Sequence, residues 1–315
     1  MTPQIRSFGE DTIAAAAALI ADGGIVAVPT ETVYGLAADA TNAVAVARIY
    51  AAKGRPSFNP LIVHVADLAA AERIAAFDDD ARMLAAAFWP GPLTLVLPAL
   101  SDAGVAALVT AGLATVAVRV PRHRAIQALL GACGVPLAAP SANASGGISP
   151  TRAAHVAASL GDRVHLIIDD GATDAGLEST IVMGRTVLRP GPITAAEVAN
   201  AFPGSGKITG PLPTQGNGPE HISAPGQLAS HYAPTKPLRL DATTTEPGEY
   251  LIGFGAVTGD INLSRAGDLI EAAANLFDAL YRADASDRPR IATAPIPTQG
   301  IGAAINDRLM RAAVR

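Results

Sequence analysis

The sequence predicts an α/β protein: a larger domain on a mixed sheet, a long linker, and a second, smaller α/β domain. Three observations predict it. The chain has 315 residues, and at roughly 100–200 residues per domain that length suggests two domains. Through the first 205 residues, short apolar runs alternate with alanine-rich helical stretches, the pattern of an α/β domain. From Pro203 to about Pro237 the apolar periodicity stops, and glycine and proline accumulate. A stretch of that length is a linker or a functional lid rather than an ordinary loop. The boundaries read as 1–203, 204–237 for the linker, and 238–315.

The elements follow in order. Helices are predicted over Thr12–Ala21, Ala43–Ala52, Leu68–Ala76, Asp80–Phe88, Arg124–Leu130, Thr151–Leu160 and Ala195–Phe202. Strands are predicted over Ile25–Val28, Leu61–Val65, Leu93–Leu97, Ala114–Val120, Pro136–Ala139 and Leu166–Asp169. Thr180–Met183 and Thr186–Arg189 read as a hairpin turning at Gly184-Arg185. Ser149-Pro150 offers an N-cap and a first-turn proline, and Thr194 with Glu197 a capping box. After the linker come a strand over Leu251–Phe254, a helix over Asp268–Tyr281, a strand over Ile291–Ile296 and a helix over Ala303–Ala313.

Composition excludes several classes. The net charge is −5, and both the first 205 residues and the remainder are net negative. That argues against a body built to grip phosphate backbones. One cysteine, Cys133, forms no internal disulfide and no cysteine-based zinc site, and fits a reducing cytosol. Glu10 and Asp11 beside the first apolar run do not read as a signal peptide. The longest uncharged apolar stretch, Ala103–Val118, is too short for a bilayer.

Cations are scarce and their placement is informative. Lys53 is the only lysine in the first 205 residues. It opens Lys53-Gly54-Arg55-Pro56-Ser57-Phe58-Asn59-Pro60, a stiff loop that suits an anion clamp. A helix C-terminus that simply favours cations is the bland alternative. His64 shares a strand face with Ile62, opposite Leu61, Val63 and Val65; it reads as a core histidine or a ligand contact. Thr115 and Arg119 share the face opposite the valines of their strand. A buried arginine there needs an anion, structural or ligand-borne. Pro140-Ser141-Ala142-Asn143 leaves the carboxyl end of a strand, a favoured ligand position. Glu178-Ser179-Thr180 opens the hairpin and Arg189-Pro190-Gly191 closes it, making Ser179 and Arg189 neighbours. Gly204-Ser205-Gly206-Lys207 imitates a P-loop tail but lacks the flanking pattern, with Ala201 and Ile208 at the two diagnostic positions.

Together these segments resemble a known family. Pro29-Thr30-Glu31-Thr32-Val33-Tyr34-Gly35-Leu36, the Lys-Gly-Arg loop, Pro-Ser-Ala-Asn, Glu-Ser-Thr and Arg-Pro-Gly resemble the YrdC-like domain in order and spacing. Ala224-Pro225-Gly226 with Ser230-His231-Tyr232-Ala233-Pro234, and Ile305-Asn306-Asp307-Arg308-Leu309 near the end, resemble the long, two-domain form. That family is the threonylcarbamoyl-AMP synthases. Gln227 departs from it, standing where many relatives have methionine.

The resemblance implies a YrdC-like open twisted mixed sheet flanked by helices and a smaller Rossmann-like C-terminal domain. It implies synthesis of threonylcarbamoyl-AMP from L-threonine, bicarbonate or CO2, and ATP, with release of pyrophosphate. Mg²⁺ would be held mainly by the triphosphate, with no protein metal site. A separate cytoplasmic threonylcarbamoyl transferase would then modify tRNA, so neither stable nucleic-acid binding nor a membrane is required. Carried over by residue, Lys53 and Arg55 are catalytic. Arg55, Asn59, Thr115, Ser141, Asn143, Ser149, Arg189 and His231 bind ATP. Thr32, His64, Arg119 and Ser179 bind L-threonine, Arg119 taking its carboxylate, and Tyr232 supports the lid. A tRNA- or double-stranded RNA-binding module without catalysis is the alternative, and the negative charge of both halves counts against it.

Overall fold

Alternating strands and helices define the chain in a computed structural model that describes residues 3–202, 208–209, 224–228 and 230–314. The strands of the first part are β1 (Gln4–Ser7), β2 (Val26–Pro29), β3 (Tyr34–Asp39), β4 (Ile62–His64), β5 (Leu93–Pro98), β6 (Thr115–Arg119), β7 (Leu137–Ala138), β8 (Leu166–Asp169), β9 (Thr180–Met183) and β10 (Thr186–Arg189). The helices are α1 (Glu10–Ala21), α2 (Ala43–Lys53), α3 (Leu68–Glu72), α4 (Asp79–Phe88), α5 (Ala107–Thr110), α6 (Arg124–Cys133), α7 (Ala153–Leu160) and α8 (Ala195–Asn200). After residue 237 come β11 (Leu238–Arg239), β12 (Glu249–Gly253), β13 (Ile261–Asn262), α9 (Leu269–Ala285), β14 (Arg290–Thr293) and α10 (Gly302–Ala313).

The first ten strands form one mixed sheet in the order β1-β8-β2-β3-β7-β4-β6-β5-β9-β10. β4 and β6 run parallel in the register His64 to Arg119, which puts those two side chains on adjacent strands and the same face. The opposite face carries Leu61, Val63, Val65, Val116, Val118 and Val120 into a core completed by Val46 and Ile49 of α2 and Leu84 of α4. Burying each such side chain contributes about 1.5–3 kcal/mol. Alanines with no exposure, such as Ala27, Ala38 and Ala45, let helix backbones approach the sheet closely. The His64–Arg119 face has a different cover: Ile62, Val96, Ala117, Ile181 and Leu188 meet Ala224 of the linker region.

The second sheet is all parallel, ordered β11-β14-β12-β13. Its core joins the first part directly. Val33, Ile148 and Leu177 pack in one cluster with Tyr232, Leu276, Phe277 and Leu280. Asp278 of α9 accepts from Arg152 at 2.8 Å, and the His155 ring stacks on Tyr281 at 3.9 Å. Gly176, at φ 67°, lies so near α9 that a Cβ there would sit 2.4 Å from the Ala273 carbonyl oxygen. Only glycine fits that approach.

Most expected elements are present within a few residues of their predicted ends, and the Thr194–Glu197 capping box forms. Three readings are corrected. Ser149 does not cap α7: its hydroxyl has no partner among the described residues, and the N-cap is Arg152. The Pro150 carbonyl accepts the Tyr34 N–H, tying that stretch to β3 instead of to a helix. The helix expected over Leu68–Ala76 stops at Glu72, and Ala76 instead donates its N–H to Pro98. β1, β3, α5, β11 and β13 were not anticipated. Much of the expected linker, including Gly204–Lys207, lies outside the described residues.

Candidate active site

A buried cleft opens on the His64–Arg119 face of the large sheet. Its walls include Thr32, Arg55, His64, Arg119, Ser141, Ser179, Arg189, His231 and Tyr232. Nine sequence-predicted residues from eight separate segments therefore meet around one space.

Arg119 ends β6, three residues before the Glu31-contacting Arg122 backbone. Its Nη1 donates to Thr32 Oγ1 at 2.9 Å, its Nη2 to Glu31 Oε1 at 2.5 Å and its Nε to the Gly91 carbonyl at 3.1 Å. Of the two partners left open by the sequence, a structural carboxylate is present. The other Glu31 oxygen accepts the N–H groups of Arg122 and His123. Burial pushes the Glu31 carboxyl up, but Arg119 outweighs it and holds the group below the ordinary carboxylate range. Thr30 Oγ1 donates to the Val33 carbonyl. Its 2.7 Å contact with Thr32 Oγ1 is therefore made by the Thr32 proton. Thr32 is thus fixed as donor to Thr30 and acceptor from Arg119.

His64 is 2% exposed, and its Nδ1 has no partner among the described residues. Burial, reinforced by the Arg119 charge, pushes its pKa down to about 3, so the ring is neutral at pH 7.

Ser179 and Arg189 are neighbours. Arg189 donates to the Ser179 carbonyl from Nε and Nη2, and from Nη2 to its hydroxyl at 3.1 Å. That hydroxyl also meets Thr94 Oγ1 at 2.7 Å.

The Lys-Gly-Arg loop is tightly held. Gly54 takes the left-handed conformation that ends α2. Arg55 donates to the carbonyl and side-chain oxygens of Asn59 and to the Pro60 carbonyl. Burial pushes its pKa down to about 10, still charged near neutrality. Lys53 stands one layer behind the wall. Its ammonium donates to the Ser141 and Asn143 carbonyls, joining the loop to Pro140-Ser141-Ala142-Asn143. Burial pushes the Lys53 pKa well down.

Asn59, Asn143 and Ser149 are also buried but stand behind the walls. Thr115 lies at the far end of β6, half-exposed, on the Arg119 face but outside the walls.

The linker region closes the cleft. Pro225 accepts from Arg189 Nη1 at 3.4 Å. Gly226 has φ 87°, and a Cβ on it would sit 2.8 Å from both Arg189 Cδ and the Tyr232 hydroxyl. His231 lies edge-on to Tyr232, with ring centres 4.0 Å apart. Burial, then Arg55, Lys53, Arg189 and Arg308, push the His231 pKa well down, leaving a neutral ring.

Three residues had no assigned role. Glu31 and Glu178 lay inside quoted motifs, where their charge signalled a partner for the buried cations. Arg308 of α10 has no exposure, donates to Glu178 Oε2 at 2.8 Å, and lies 5.1 Å over the Tyr232 ring. Its signal was the terminal Asn-Asp-Arg-Leu run. Among the described residues, no three His, Cys, Asp or Glu side chains group as metal ligands. No described helix is long and apolar enough to cross a membrane.

A cation-lined cleft between the large sheet and the linker region has the chemistry to hold an anionic substrate beside a small polar one. The family model described as "Telomere recombination" matches residues 18–191, and that of the "Threonylcarbamoyl-AMP synthase, C-terminal domain" matches 193–314. The chain belongs to the threonylcarbamoyl-AMP synthase family. It is 41% identical to the Bacillus subtilis threonylcarbamoyl-AMP synthase, covering 98% of this chain and 94% of that one. It also resembles the crystal structure of Pyrococcus abyssi Sua5 with L-threonine. There the TM-score is 0.89 at 36% identity, over 98% of this chain and 97% of that one. A variant of the same protein with a histidine and the adjoining tyrosine changed to alanine matches with TM-score 0.89 at 36% identity, over 99% and 96% of the two chains.

Proposed function

We propose that this chain makes threonylcarbamoyl-AMP from L-threonine, bicarbonate or CO2, and ATP, releasing pyrophosphate as the first step of tRNA threonylcarbamoyladenosine formation. The observation that carries the reading is the cleft itself: three arginines, two neutral histidines and the hydroxyls of Thr32 and Ser179 around one covered space. The names of the similar proteins support it.

In this reading Arg119 takes the threonine carboxylate, Thr32 orients that guanidinium and offers its remaining lone pair to a substrate N–H or O–H, and neutral His64 and Ser179 receive the other polar groups. The amine adds to CO2, forming the N–C bond and shedding two protons. A carbamate oxygen then attacks the α-phosphorus, the new P–O bond forming as the bond to pyrophosphate breaks. Arg55 and Arg189 stabilise the charge that builds on phosphorus and the leaving group. Lys53 acts from behind, fixing the Ser141–Asn143 turn and adding positive potential. Asn59, Thr115, Asn143, Ser149 and His231 extend the ATP site around these cations. Mg²⁺ travels with the triphosphate, which already supplies its oxygen ligands. The 224–233 segment, with Tyr232, shields the short-lived carbamate from water. The product is a small adenylate, consumed by a separate threonylcarbamoyl transferase in the cytoplasm.

The test is incubation with ATP, Mg²⁺, bicarbonate and labelled threonine, following pyrophosphate and the adenylate by mass. Threonine-dependent pyrophosphate release is expected. Folded protein that releases none would sink the proposal.

A further inference from the structure

A zwitterionic amino acid needs an anionic or carbonyl partner for its ammonium as well as a cation for its carboxylate. Among the described residues, the cleft walls hold three arginines and a single carboxylate, that of Glu178. Glu31 is close by, but Arg119 and two backbone N–H groups occupy its oxygens. Glu178 is 6% exposed. Its Oε2 accepts from Arg308 at 2.8 Å, whereas its Oε1 is buried with no partner among the described residues. Leaving a carboxylate oxygen buried and unpaired is costly. Glu178 directly precedes Ser179, whose hydroxyl faces the same cleft.

We infer that Glu178 is the receptor for the substrate ammonium and that Arg308, from the second unit, is the residue that positions it. The inference rests on the amino-acid substrate of the proposed function. Arg308 is suited to the task because its own surroundings fix it. Asp307 accepts from its Nη1 at 2.6 Å, and the Tyr232 ring lies 5.1 Å beneath the guanidinium. Both Arg308 and Arg189 feel the Glu178 charge. The hydrogen bond to Arg308 selects between them and leaves Oε1 for the ligand. A single arginine therefore ties together the ammonium receptor and the tyrosine of the cover.

The inference makes α10 a determinant of substrate selection. An amino acid would be preferred over the analogue that lacks the amine, because the ammonium gives the unpaired Glu178 oxygen a charged donor.

The test is equilibrium binding of L-threonine and of its deaminated analogue 3-hydroxybutyrate to the full chain, to Glu178→Gln and to Arg308→Lys. Melting temperatures are recorded for all three. The parent is expected to prefer threonine. Glu178→Gln should weaken threonine by about 10- to 100-fold, the loss of one charge-assisted hydrogen bond, and leave the analogue nearly unchanged. Arg308→Lys keeps the charge but not the fork, and should give an intermediate loss. Equal weakening of both ligands in Glu178→Gln, or no weakening of threonine, overturns the inference. A parent that binds no threonine overturns the proposed function instead.

Discussion

Gly226→Ala isolates the cover from the rest of the enzyme. At φ 87° an alanine meets its own backbone strain, and its Cβ would sit 2.8 Å from Arg189 Cδ and from the Tyr232 hydroxyl. The left-handed conformation costs roughly 1–2 kcal/mol in an L-residue. Forcing a methyl into a packed contact costs about 1–3 kcal/mol more. The closed arrangement should therefore lose roughly 2–5 kcal/mol, which is about 30- to 3000-fold in the closure equilibrium. Neither sheet contains Gly226, so the melting temperature should change little. Threonine-dependent pyrophosphate release measures the effect, and ATP consumption without adenylate reports a site that leaks water. A fall of at least about tenfold in adenylate formation is expected, allowing for a cover closed in excess. Parental turnover in a folded variant would refute the claim that this backbone approach closes the cleft.

Three further outcomes follow from the same geometry. Lys53→Ala removes an ammonium that bridges the Ser141 and Asn143 carbonyls. Turnover should fall at least about 100-fold, and stability by about 1.5–3 kcal/mol for each charge-assisted bond lost; parental kcat would show the lysine is not required. Glu31→Ala strands Arg119 without its carboxylate and should cost about 3–5 kcal/mol in urea unfolding, with threonine binding impaired; a change below about 1 kcal/mol would mean the pair is dispensable. His64 has a native pKa of about 3 against an ordinary 6.5. Below pH 6.5 the unfolded chain takes up a proton that the folded chain refuses. Stability therefore falls by about 1.4 kcal/mol per pH unit from that group, until the pH nears the native value. Urea midpoints between pH 7 and 4.5 should fall less steeply in His64→Gln, and identical slopes would remove the buried neutral ring from the account.

What the sequence revealed depended on how local the cause was. Leu166–Asp169 and the Thr180–Arg189 hairpin carry short apolar runs and, in the hairpin, a turn, and were legible to the residue. β3, with Gly35 and three small or polar residues in Tyr34–Asp39, shows no strand pattern. It is extended because β2 and β7 pair with it from either side. β1 is exposed along its length and exists through its pairing with β8. The cleft was legible as a set of charged residues out of place in an apolar chain. Its pairings were not: Glu31 with Arg119 spans 88 positions, and Glu178 with Arg308 spans 130. Ser149 failed for the same reason, its neighbour Pro150 being held by a distant backbone N–H.

The strand order has a consequence for biosynthesis. β8 inserts between β1 and β2, and β7 between β3 and β4. The first hairpin therefore waits for partners made about a hundred residues later or more. At roughly 5–20 residues per second on the ribosome, that wait is on the order of ten seconds. Such high contact order slows folding. It also means that Glu178 meets its arginine late, because Arg308 is synthesised 130 residues after it.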